Sequence, residues 1–152
     1  MDIILNEAEQ KLVTYVSKKR IETNRATGAT ATIYGDASAI ENEMDSFGAE
    51  VAYCKLHNCY PDLATDHRPP FDAKLPDGRT VDVKQTKYPT GKLLVKIIKR
   101  AELPDLYALM IGKFPKYKLA GHMPAAEIIT PERIQTDNWK SPAYVAGQDE
   151  LR

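Results

Sequence analysis

A chain of 152 residues, 43% hydrophobic and 28% charged, is long enough to bury a core and is not biased enough in composition for a fibrous repeat or a disordered chain. No apolar run approaches the roughly 20 residues of a membrane span, and the start, MDIILNEAEQ, has neither a basic n-region nor a small-residue cleavage site, so a cytoplasmic protein without a membrane partner is expected. The formal net charge is zero, yet Asp36 to Glu50 carries five acids and no basic residue, while Lys84 to Lys118 carries nine basic residues against Glu102 and Asp105; the second stretch reads either as a solvated face or as a surface for phosphates.

The chain reads as a single domain over 1–152, with N-terminal helical support in 1–35, a core in 36–122, and a short helix and tail in 123–152. Asn6, with Glu9 three residues on, is a capping box for a helix to about Arg25. Its apolar stripe is Leu12, Val13, Tyr15, Val16 and Ile21, with Lys11, Lys18, Lys19 and Arg20 mostly outside it. Gly28 ends that helix, and Ala29 to Tyr34 is an extended segment or a loop. Asp36 is expected to cap a second helix to about Asn58, which buries Ile40, Met44, Phe47, Val51 and Cys54. Glu43, Glu50 and His57 follow a neighbouring line. Glu50 emerges at the apolar border, so it reads equally as an exposed helix residue or as one reaching over a sheet edge. Cys54, His57, Cys59 and His67 are residue types that bind zinc, but their spacing matches no common finger and they are read as ordinary side chains.

After Tyr60-Pro61-Asp62 the chain enters FDAKLPDGRTVDVKQT, Phe71 to Thr86. Pro69 and Pro70 lack N–H donors, so the first strand starts as an edge or just outside pairing. Pro76-Asp77-Gly78 suits a three-residue hairpin loop that pairs Leu75 with Arg79. Counting back sets Asp72 opposite Asp82. Asp72, Asp82 and Lys84 then share one face, and Phe71, Ala73, Leu75, Val81 and Val83 the other. A two-residue loop would put the aspartates on opposite faces.

Lys92 to Lys99 reads as a third strand, its apolar residues continuous enough for burial on both faces. Arg100 to Pro104 is a brief connection, and Asp105 to Lys113 a largely buried fourth strand. Phe114-Pro115 breaks it, and Tyr117 to His122 pairs beside it, His122 being read as a partly buried histidine. Thr130 and Pro131 start a short helix to about Asn138, and Ser141 to Arg152 is expected along the surface.

Two aspartates held together repel, so an ionised pair needs a cation. Oxygen donors with water in the remaining positions suit Mg²⁺, for which Mn²⁺ substitutes. A lysine projecting to the same side stabilises charge at a phosphorus centre or holds a water, a combination suited to phosphodiester hydrolysis. The bland alternative is a cross-strand ion-pair cluster. No P-loop, dinucleotide fingerprint or nucleophile elbow is present.

Asp72, followed on the next strand by Val81-Asp82-Val83-Lys84, resembles the PD-(D/E)XK nuclease signature, and Gly48-Ala49-Glu50-Val51-Ala52 is similar to the helix before it. The resemblance covers roughly Asp36 to Gly121. It implies an α/β fold with a restriction-endonuclease-like core, a mixed β-sheet flanked by helices, and Mg²⁺-dependent cleavage of DNA. Asp72, Asp82 and the Val83 carbonyl would ligate the metal, with Glu50 as an outer or second-metal ligand. Lys84 would act on the nucleophilic water, and Gln85 would lie near the site although strand parity turns it away from Lys84. Lys87, Lys92, Lys96, Lys99 and Arg100 would meet DNA, and cutting both strands would favour a homodimer. The chain departs from the pattern in having Phe71, not proline, before Asp72, and in leaving little room for a helix between the third and fourth strands. A non-cleaving DNA- or protein-binding module on the same fold, or another metal-dependent phosphoesterase, are the alternatives.

Overall fold

The capping box forms as its residues dictate: the Glu9 N–H donates to Asn6 Oδ1 at 2.9 Å and the Asn6 N–H to the Glu9 carboxylate at 2.7 Å. The computed structural model describes residues 1–26, 35–66, 69–136 and 141–152. Helix α1 (Glu7–Ala26) follows from that cap, and α2 (Gly35–His57) packs against it. The Gly28 stop, the 29–34 segment, the Asp36 side chain, His67 and the end of the expected helix near Asn138 lie outside the described residues or side chains.

Before α1 comes a strand, β1 (Asp2–Ile4), where only helical support was expected. It lies at one edge of a five-stranded sheet with β2 (Ala73–Lys74), β3 (Thr80–Thr86), β5 (Leu106–Lys113) and β6 (Lys116–Pro124), in the order β1-β6-β5-β3-β2. β3 and β5 are parallel and the other pairs antiparallel, so the sheet is mixed. Alternation divides its residues between two cores. Val81, Val83, Ala108 and Met110 join Val13, Phe47, Val51 and Tyr53 under the helices. Tyr107, Leu109 and Met123 face the other way.

That second face is covered by more sheet. β4 (Leu93–Lys96), β7 (Ile134–Gln135) and β8 (Ala143–Ala146) make an antiparallel sheet of order β4-β8-β7, and Leu93, Val95 and Ala146 close with Tyr107, Leu109 and α3 (Ala125–Ile128) into the second core. Three expectations are corrected by it. The 92–99 run is not a strand of the main sheet buried on both faces: Leu93 and Val95 are inside, whereas Ile97 and Ile98 are 41% and 59% exposed. The 141–152 segment is not a surface tail, since β8 is largely buried. The helix after Thr130 is one 3₁₀ turn, Pro131–Arg133, and Thr130 makes no side-chain cap to it.

In α1, Tyr15 is 61% exposed and Arg20 only 3%, the reverse of the expected stripe. Among the described residues no helix is long and apolar enough to cross a membrane.

The covering sheet makes a direct prediction. Leu93→Ala should cost about 2–5 kcal/mol because it empties a closed site, while Ile98→Ala, five residues on, should stay within about 0.5 kcal/mol. Urea denaturation of the two variants checks this, and equal losses would mean that both faces of the run are buried.

Candidate active site at the β2–β3 hairpin

The hairpin closes through the expected three-residue loop. The Leu75 N–H donates to the Arg79 carbonyl at 2.8 Å, the Gly78 N–H returns to the Leu75 carbonyl at 2.9 Å, and Gly78 takes φ +94°, a backbone region that glycine enters freely. Ala73 then pairs with Val81 and Lys74 with Thr80. Ala73, Leu75, Val81 and Val83 are buried, so the apolar floor forms as expected. Asp82 and Lys84 lie off that floor, on the face that carries Tyr107, and Asp72 stands at the edge where β2 ends.

At Asp72 the ladder stops. Regular pairing would carry the Val83 N–H to the backbone of Phe71, but it donates instead to Asp72 Oδ2 at 2.7 Å, while the Asp72 N–H donates to the Val81 carbonyl at 2.9 Å. Val83 thus turns its N–H, and with it its carbonyl, toward the carboxylate. Lys84 Nζ reaches both oxygens of Asp82, at 2.9 and 3.1 Å. The Asp72 carboxyl is pushed up to about 7, first by burial, then by the Asp82 charge and by hydrogen bonding to Asp82, against the opposing pull of the Val83 N–H and Lys84. Asp72 therefore keeps its proton up to near neutral pH beside the Asp82 carboxylate.

Tyr107 stands beside Asp82 in the parallel β3–β5 register, and Lys84 Nζ is 5.9 Å from its ring centroid. Its hydroxyl is buried without a hydrogen-bond partner among the described residues; burial raises its pKa, opposed by Arg100 and reinforced by Asp82. Arg100 is half-buried and donates to the Lys96 carbonyl at 2.8 Å and the Ile98 carbonyl at 3.3 Å.

Glu50 is 6% exposed, so it is not an exposed helix glutamate. It lies 3.9 Å from Arg20 Nη1, which is 3.5 Å from Glu43. The guanidinium also donates to the Ala64 and Asp62 carbonyls, each at 3.0 Å, and lies over Phe47 at 4.4 Å. Cys54, one turn beyond Glu50, has its thiol pushed up mainly by burial and by Cys59, and it also feels the charges of Glu50 and Asp72. Glu50 therefore faces the hairpin's side of α2. Among the described residues no group of three or more His, Cys, Asp or Glu side chains is arranged to hold a metal. What the hairpin offers a cation is a pair of carboxylates plus the Val83 carbonyl. That all-oxygen set fits Mg²⁺, which keeps several waters and takes one or two carboxylates.

Other expected site residues are placed elsewhere. Gln85 donates to the Gly112 carbonyl at 2.6 Å and so ties β3 to β5, away from Lys84. Lys87 lies 5.4 Å from the Tyr88 ring, and Lys92, Lys96 and Lys99 are exposed. His57 stacks on Tyr53 at 4.1 Å, and the Tyr53 hydroxyl meets His122 Nε2 at 2.7 Å, while Cys54 and Cys59 are free. Arg20 and Tyr107 were not singled out from sequence. For Arg20 the signal existed, because Val13, Val16, Ser17 and Arg20 keep helical spacing and all are buried.

The proton held by Asp72 predicts a pH effect. With its folded pKa near 7 against an ordinary 3.8, Asp72 holds a proton in the folded chain that the unfolded chain has released, so it makes stability fall as pH rises from about 4 to about 7. Asp72→Asn should remove that slope. In chelator at pH 8 it should be more stable than wild type by roughly 2–4 kcal/mol, and near parity at pH 4. Denaturation across that pH range measures the difference, and parallel curves would show that the carboxyl ionises normally.

Comparison with curated proteins finds no match, and neither does comparison with solved structures. One family model matches residues 4–151, nearly the whole sequence. The chain belongs to the family of unknown function DUF5843.

Proposed function

We propose that the protein is a divalent-metal-dependent DNA nuclease that hydrolyses phosphodiester bonds on a restriction-endonuclease-like core. The observation that carries this reading is the meeting of Asp72, Asp82 and Lys84, with two carboxylates pressed together at a sheet edge and an ammonium 2.9 Å from one of them. The order helix, hairpin, strand, strand and the mixed sheet with helices on one face support such a core. The connection from β3 to β5 departs from it, since a strand of a second sheet stands where a helix was expected.

Mg²⁺, or Mn²⁺ in its place, held by Asp72, Asp82 and the Val83 carbonyl, would supply Lewis acidity and an acidified water near neutral pH. The other parts belong to the chain. Lys84 donates to the attacking water and offsets the charge growing on the phosphoryl oxygens. As the water oxygen bonds to phosphorus, one ester P–O bond breaks, leaving a phosphate monoester on one fragment and a hydroxyl on the other. Asp72 must lose its proton before the pair presents two charges, so activity is expected to fall below about pH 7. Lys96 and Lys99, exposed beyond the site, supply sequence-independent attraction to the backbone.

The alternative is a non-cleaving DNA- or protein-binding module. It is favoured by the closed Asp82–Lys84 ion pair, which satisfies both charges without a substrate.

Cleavage assays separate the two. Offered supercoiled, linear, branched and single-stranded DNA, the protein should cut at least one form with Mg²⁺ and none in chelator. Asp82→Ala and Lys84→Ala should each slow cutting by about 10²-fold or more, whereas Gln85→Ala should stay near wild type. Undiminished cutting by the first two variants would refute the assignment, and binding without cutting would favour the module.

A further inference from the structure

Past Lys84, β3 runs out through Gln85 and Thr86 into the turn 87–92, and a groove of about 490 Å³ opens there. Leu94 and Leu109 form its apolar lining, and Lys84 and Lys92 are the charged side chains along it, with no carboxylate among its walls. Tyr88, 62% exposed, stands in its wall, and Lys87 lies 5.4 Å from the Tyr88 ring. An apolar floor, an exposed tyrosine and two lysines, one of them a proposed catalytic residue, thus line a single groove.

The turn that presents Tyr88 is held in place. The Tyr88 N–H donates to Thr86 Oγ1 at 3.2 Å, and the Gly91 N–H to the Tyr88 carbonyl at 2.9 Å. From β8's far end, the Gln148 amide donates to the Pro89 carbonyl at 2.9 Å and the Gly91 carbonyl at 2.8 Å. At Gly91 a Cβ would run into the Thr86 side chain, so the close approach needs glycine. An aromatic ring on a braced turn loses little freedom when something stacks on it, and that makes a good platform.

We propose that this groove binds single-stranded DNA, with a base stacked on Tyr88 and the backbone following Lys92 and Lys84 toward Asp82. The proposal rests on the nuclease reading for its direction, and adds to it the form of the substrate. The choice of single strand follows from the chemistry of the surface. Every base has a π-face that stacks on an exposed tyrosine, and flanking cations track the backbone without reading sequence. In a duplex that face is already covered by the neighbouring base pairs, so Tyr88 would have nothing to stack on. An acidic small molecule without an aromatic ring would satisfy the lysines but would not use the tyrosine.

Fluorescence anisotropy in chelator tests this without requiring cleavage. The probes are a labelled oligothymidylate and a hairpin duplex with the same number of phosphates. Wild type should prefer the single strand. Tyr88→Ala should weaken that binding by about tenfold or more and leave duplex binding unchanged, while Tyr88→Phe should retain it, because the ring and not the hydroxyl stacks. Lys92→Gln should flatten the salt dependence. Lys18→Gln, on the exposed face of α1 and outside the groove, should bind as wild type does, and because the readout is binding in chelator its outcome is separate from that of the cleavage test above. Since Tyr88 is exposed, an unaltered thermal melt should accompany the loss. Duplex preference, no binding of either probe, or equal loss on both probes in Tyr88→Ala would overturn the proposal.

Discussion

The hydrogen bond from the Val83 N–H to the Asp72 carboxylate marks where β2 ends and the candidate site begins. A strand edge leaves backbone donors unpaired, and a buried donor without a partner costs about 1–3 kcal/mol. Asp72 satisfies this one with a side chain instead of a main chain, which draws its carboxylate into the sheet and up against Asp82. The same contact opposes the effect of burial on Asp72, yet burial and the second charge prevail and Asp72 holds its proton up to near neutrality. Lys84, reaching both oxygens of Asp82, completes the charge balance. These three side chains are therefore interdependent, and a change at Asp82 or Lys84 alters the protonation of Asp72.

Behind the hairpin, a buried arginine organises the helical layer. Arg20 takes a charge into the interface of α1 and α2, where desolvation costs several kcal/mol unless partners surround it. Its partners come from two places: Glu43, Glu50 and the ring of Phe47 on α2, and the carbonyls of Asp62 and Ala64 in the segment that leads to the hairpin. Arg20 thereby connects α1, α2 and the approach to β2. Glu50, the helix residue that the nuclease resemblance assigned to the metal, has Arg20 as an ion-pair partner.

The covering sheet shapes what the hairpin faces. By burying Tyr107 and Leu109 under Leu93, Val95 and Ala146, it leaves Asp82 and Lys84 at the rim of an otherwise closed core. The same strand β4 leads back from the turn that carries Tyr88, so the covering layer and the groove beside Lys84 are made by one segment. Gln148, beyond β8, braces that turn from the other end of the chain.

The local elements were legible because their causes are local. The capping box of Asn6 and Glu9, the Pro76-Asp77-Gly78 loop and the alternation through Val81 and Val83 each involve residues a few positions apart, and turn chemistry plus period-2 pleating was enough to place Asp72, Asp82 and Lys84 on one face. Gln85 was likewise turned away by parity alone. What sequence could not show is where partners come from far along the chain. Ile97 and Ile98 read as core until β4 pairs with β8, which buries only Leu93 and Val95. The final residues read as a tail until that same pairing makes them a wall. Arg20 reads as surface until two glutamates and two carbonyls from distant segments surround it, and Tyr107 meets Asp82 only through a parallel register. Periodicity and turn chemistry fix short-range geometry, whereas burial of a charge or pairing of a strand is settled by long-range contacts that only the assembled tertiary structure contains.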